Sequence, residues 1–94
     1  MSNLTDEVKQ SIESFGRLGF TIDELAIAFD LDIAQVRKEF ADESGEIYML
    51  YKKGRITAEV EIRETLLQSA CNGSTPSLQR MVEIYKQADE SNDI

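Results

Sequence analysis

The sequence predicts an all-α protein: an N-terminal three-helix unit containing a helix-turn-helix, followed by a long helix and an antiparallel helical hairpin. Apolar residues recur at helical spacing along nearly the whole chain. Two N-terminal capping signatures, Thr21 with Glu24 and Asp32 with Gln35, stand eleven residues apart. Glycine-bearing breaks around Gly19, Asp42 to Gly45 and Asn72 to Pro76 divide the periodic stretches.

Residues 4–18 read as the first helix. Leu4, Val8, Ile12, Phe15 and Leu18 share a face, Gly16 and Gly19 fall near the end, and Gly19 is a natural left-handed cap. Thr21 caps the second helix, and Glu24 completes a capping box in which each side chain satisfies a backbone N–H left open by the helix end. Phe20 and Leu25 are spaced for a hydrophobic staple. Leu25, Ala28 and Phe29 give this helix an inner face, and the small Ala26 lets a neighbouring helix come close. The third helix opens at Asp32, with Gln35 three residues on and Leu31 facing Val36; Ile33, Val36 and Phe40 point inward. Thr21 to Phe40 thus reads as two short helices and a tight turn. An ordinary pair of core helices that never touches DNA carries the same pattern.

Asp42 to Gly45 interrupt the periodicity, and Ser44 is placed to cap the fourth helix. Residues 46–71 read as that helix, long and continuous. Ile47, Tyr51, Gly54, Ala58 and Ile62 lie near one line, with Met49, Ile56, Val60, Leu67 and Cys71 roughly opposite. Apolar residues on two faces call for more than one neighbour. A glycine inside a helix costs about 1 kcal/mol relative to alanine. A kink or the close approach of another backbone gives Gly54 a purpose; the alternative is a helix that breaks there. Gly73 takes the left-handed cap, Thr75 is the expected N-cap and Pro76 the first helical residue. Leu78, Met81, Val82, Tyr85 and Ala88 form the last apolar stripe, and the short turn before it makes an antiparallel hairpin. Asp89 to Ile94 read as a polar, frayed end. The domain reading is therefore 1–43 for the helix-turn-helix unit, 44–90 for the hairpin and 91–94 for the tail.

A chain of 94 residues is one domain, or a small domain with an extension, and its modest core gains from self-association. It has no apolar run of membrane-spanning length and no secretory or transit pattern, so a soluble cytoplasmic protein with no membrane partner is expected. Cys71 is the single cysteine and histidine is absent, so neither an internal disulfide nor a zinc ligand set is available. Asn3 and Asn72 match the glycosylation pattern by chance. The net charge of −8 disfavours nonspecific DNA binding, which rests on cations neutralising phosphates. Residues 1–43 hold four basic and ten acidic residues, so any DNA contact comes from a local cluster.

No catalytic constellation stands out. Serine and cysteine lack an imidazole base, and there is no glycine-rich phosphate loop, so no enzyme and no cofactor are expected. Glu59, Glu61 and Glu64 suit a metal on paper, but a solvated face paired with Arg55 and Arg63 explains them better. Recognition remains. Ala34, Gln35, Lys38 and Asp42 form the outer face of the third helix, with Arg37 on its flank. A recognition helix reads base edges with its N-terminal part. Gln35 suits adenine, Ala34 a thymine methyl, and Arg37 and Lys38 phosphates or guanine. Asp32 and Asp42 favour a plain solvated surface instead. Lys52, Lys53 and Arg55 form the densest basic cluster, suited to backbone contacts or simply exposed. Ile56, Val60, Ile62 and Leu67 are left facing outward in a single chain, which points to a homo-oligomer.

The layout resembles the small terminase subunits of tailed phages and related phage helix-turn-helix proteins. The residues that carry it are Gly19-Phe20-Thr21, Glu24-Leu25-Ala26, Leu31 to Val36, Tyr51, Gly54-Arg55, Ala58-Glu59, Leu66-Leu67, Ala70 and Asn72-Gly73, over roughly residues 16–88. The resemblance implies recognition of viral double-stranded DNA for packaging in a bacterial host. It further implies a ring-like oligomer built by the helical hairpin, and transfer of DNA to a large ATPase–nuclease subunit. Asp30 stands at the turn where the family usually has glycine, and no counterpart of the family's C-terminal partner-binding segment is found. A small transcription regulator, expected as a dimer, and an interaction module without DNA binding are the alternatives.

Overall fold

The computed structural model describes residues 5–92. Every regular element among them is helical: α1 (Asp6–Leu18), α2 (Ile22–Ala28), α3 (Ile33–Phe40), α4 (Glu46–Cys71) and α5 (Thr75–Asn92). No helix among the described residues is long and apolar enough to cross a membrane. The chain divides into two compact units between Ala58 and Glu59, inside α4, and not at the loop after residue 43. The first part of α4 belongs with α1 to α3 because Ile47, Leu50 and Tyr51 join their core.

In the first unit Ile12, Leu25, Ala26, Val36 and Ile47 are buried, surrounded by half-buried residues that include Val8, Phe15, Ile22, Phe29, Leu31, Ile33 and Phe40. Aromatic contacts extend this core: Phe15 meets Phe20 at 4.7 Å and Phe29 at 5.6 Å, and Phe40 meets Tyr48 and Tyr51 at 5.3 Å.

Two inner faces differ from expectation. Leu18 is exposed, because six residues beyond Ile12 is about 120° off its line at 3.6 residues per turn. The expected first residue of that face, Leu4, lies outside the described residues. In α2 the inward set is Ile22, Leu25, Ala26 and Phe29, the i, i+3, i+4, i+7 pattern, and Ala28 is turned to solvent.

The caps follow local chemistry. Thr5 accepts from the Val8 N–H at 3.2 Å, and Gly19 ends α1 in the left-handed region. The Thr21–Glu24 capping box is complete, with both bonds formed at 2.9 and 3.1 Å. Asp32 caps α3 by accepting from Ala34 and Gln35 N–H groups, but Gln35 does not reach back. Its side chain donates to Glu39 at 3.2 Å instead. Gly45, not Ser44, precedes α4, because Asp42 captures Ser44 through both its N–H and its hydroxyl.

α4 is unbroken, and Gly54 is explained by a helix crossing. A Cβ there would lie 1.9 Å from the Glu13 carbonyl oxygen of α1, and one on Gly16 would lie 2.1 Å from the Tyr51 carbonyl oxygen of α4. Side chains flank the crossing: Lys9 pairs with Glu46 at 3.3 Å and Lys53 with Glu13 at 3.8 Å.

The second unit joins the end of α4 to α5. Gly73, at φ 100°, lets its own N–H reach Ala70 and the Ser74 N–H reach Ser69, both at 3.1 Å, so the last carbonyls of α4 are satisfied. Ser74 replaces the expected Thr75 as the cap of α5. Its hydroxyl oxygen accepts from the Ser77 N–H, while Ser77 Oγ bonds Ser69 Oγ at 3.1 Å. Met81 and Ile84 are the buried residues of α5; Leu78, Val82, Tyr85 and Ala88 are exposed. Asp89 to Asn92 continue the helix where fraying was expected, and residues 93–94 lie outside the described residues.

Candidate nucleic-acid interface

α3 is eight residues long, and its inward side is fixed by fully buried Val36 and half-buried Ile33 and Phe40. That leaves Ala34, Gln35, Arg37 and Lys38 exposed along the other side. The turn before it is tight. Phe29 ends α2, the Asp30 N–H reaches Ile27 O at 3.3 Å, and the Leu31 N–H reaches Ala26 O at 2.8 Å. Asp30 sits at φ 55°, the left-handed region that glycine supplies most readily. The chain thus makes a glycine-type turn with aspartate.

The four α3 residues are not equivalent. Arg37 is held by Asp23 of α2: Nε donates to Oδ1 at 2.8 Å, and a terminal guanidinium nitrogen donates to Oδ2. The hydrogen bond from Arg37 holds the Asp23 carboxyl below the usual carboxylate range, and the same bond raises Arg37. This bidentate pair braces α2 against α3 and occupies the fork that a phosphate or guanine would need. Lys38 makes no ion pair among the described residues. Gln35 spends one donor on Glu39. Asp42 is turned to Ser44, whose hydroxyl and N–H bonds lower its carboxyl.

The basic cluster on α4 also separates into different roles. Arg55 reaches back to α1: its Nε donates to Gly16 O at 3.1 Å, and a terminal nitrogen donates to Tyr51 Oη at 2.9 Å. The Tyr51 hydroxyl in turn donates to Phe20 O at 2.5 Å. Sequence reasoning missed this lock. The available signal was a tyrosine and an arginine four apart around a helix-interior glycine. Lys53 is shared with Glu13, whereas Lys52 makes no ion pair among the described residues. Arg63 pairs with Glu59 at 3.0 Å, but Arg55, the other expected partner of that acidic face, is turned away to Gly16.

No family model, curated protein or solved structure matches the chain. Function rests on the chain's own geometry. That geometry offers an α3 face with Ala34, Gln35 and Lys38 available, and a hydrogen-bonded frame of Arg37, Tyr51 and Arg55 that holds the first unit together. Ile56, Val60, Ile62 and Leu67 are all exposed on α4.

Proposed function

We propose that this chain is a DNA-recognition subunit of the small-terminase type, reading viral double-stranded DNA in a bacterial cytoplasm through the α2–α3 helix-turn-helix and working as a homo-oligomer. The observation that carries this reading is the exposed N-terminal half of α3, displayed by a tight left-handed turn and a buried opposite side. Gln35 and Ala34 are the base-reading residues and Lys38 the phosphate contact. Arg37 and Arg55 serve as braces, leaving few free cations, so affinity per copy is low. Several copies in one assembly compensate by raising the local concentration of binding units. Ile56, Val60, Ile62 and Leu67, 42–58% exposed, supply the apolar surface for that assembly. Fully burying each such side chain stabilises by about 1.5–3 kcal/mol. Catalysis has no place in this reading; the assembly would hand DNA to a large ATPase–nuclease subunit.

A second reading, an interaction module without DNA binding, is favoured by one specific observation. Residues 21–36 carry Asp23, Glu24, Asp30 and Asp32 and no cation. Fluorescence anisotropy with labelled duplexes from phage genome ends, over a salt series, separates the two. Lys38→Glu and Gln35→Ala should weaken binding with thermal stability nearly unchanged, and Lys38→Glu should flatten the salt dependence. Wild type that binds no duplex at low salt selects the interaction module. Native mass spectrometry of the same samples reads the copy number; a strict dimer favours a transcription regulator.

A further inference from the structure

Two exposed apolar patches in the first unit carry opposite charge. The first lies on α2 and the elbow before it. Ile27 is 64% exposed, and with Phe15, Phe20, Glu24 and Ala28 it lines a cleft of about 300 Å³. Glu24 is the one charged residue lining it, and no cation does. The second lies on α4, where Met49, 57% exposed, and Ile56 flank Lys52 along a cleft of about 350 Å³. Its charged lining is Lys52 and Lys53 with no carboxylate; Lys53 is shared with Glu13, and Lys52 makes no ion pair among the described residues. The two clefts share no lining residue.

We infer that the Met49–Lys52–Ile56 surface of one copy seats on the Phe20–Glu24–Ile27 patch of a second copy. Charge complementarity selects the occupant, because each patch presents what the other lacks and both belong to the same chain. A phosphate backbone would satisfy Lys52 but leave Met49 and Ile56 in water. A protein surface with its own apolar residues and carboxylates covers all three. The contact joins two different surfaces, which is the heterologous type that extends from copy to copy. It deepens the self-association in the proposed function and does not depend on DNA recognition.

The test is disulfide capture between copies, without DNA, in a Cys71→Ser background. Copies carrying Ile27→Cys are mixed with copies carrying Ile56→Cys, one of the two bearing a mass tag so that the mixed product resolves on a non-reducing gel. Both positions are exposed, so the variants fold. The expected result is a mixed covalent dimer that Ile27→Cys with Gln87→Cys does not give, and its loss on adding Lys52→Glu or high salt. No mixed dimer beyond the control overturns the contact. If native mass spectrometry still shows an oligomer, that failure spares the self-association. Mixed dimer unchanged by Lys52→Glu, with DNA affinity reduced instead, also overturns it and assigns Lys52 to phosphate.

Discussion

Replacing Gly54 by alanine should destabilise the protein, although alanine is the better helix former. On an open helix face the change would stabilise by about 1 kcal/mol. Here the added Cβ would sit 1.9 Å from the Glu13 carbonyl oxygen, and ordinary contact begins near 3.4 Å. The obstacle is backbone in a neighbouring helix, so no side-chain rotation relieves it. α1 and α4 must separate by about 1.5 Å, the difference of those distances. Such a shift also stretches the 3.1 Å bond from Arg55 Nε to Gly16 O, on the same side of the crossing, beyond hydrogen-bonding range. Overpacking costs about 1–3 kcal/mol. Loss of a bond from a charged donor costs about 1.5–3 kcal/mol. After subtracting the helix-propensity gain, the net loss is about 1.5–5 kcal/mol. In a chain of this size that lowers Tm by at least about 6 °C. Denaturant melts of wild type and Gly54→Ala, followed by circular dichroism, measure it. An alanine variant as stable as wild type, or more so, would refute the close crossing and the frame built on it.

The same contacts set three further outcomes. Asp30→Gly should stabilise by about 0.5–1 kcal/mol in the same melts, since a left-handed residue with a Cβ is strained and glycine's extra chain entropy only partly cancels the relief. Tyr51→Phe removes one hydroxyl that donates to Phe20 O and accepts from Arg55, and should cost about 1–3 kcal/mol without altering the exposed α3 face. The Asp23 carboxyl is held below its ordinary value in the fold, so its contribution is present above the unfolded value and lost as pH falls through the folded one. Asp23→Asn should therefore flatten the decline in stability below about pH 4, measured by melts across an acid series; an unchanged acid limb counts against the Arg37 brace.

Much of this fold was legible in the sequence because it is local. Periodicity placed all five helices. The Thr21–Glu24 box, the Asp32 cap and the left-handed glycines at 19 and 73 depend on residues within a few positions of each other, and they formed as read. Competition among neighbouring caps was harder to rank: Asp42 took Ser44 from α4, and Ser74 displaced Thr75 at α5. The candidate site was legible only as a set of exposed residue types. Periodicity marked Ala34, Gln35, Arg37 and Lys38 as outward, but could not say that Arg37 is spent on Asp23 or that Arg55 is spent on Gly16, 39 residues away. A helix-interior glycine announced some close approach at Gly54, while Gly16 looked like part of a helix end. Composition, spacing and caps are properties of consecutive residues, so the sequence alone determined the helices and which sides were apolar. Which cations are already paired, and which glycines meet another backbone, depends on how helices distant along the chain cross, and only the tertiary structure decided that.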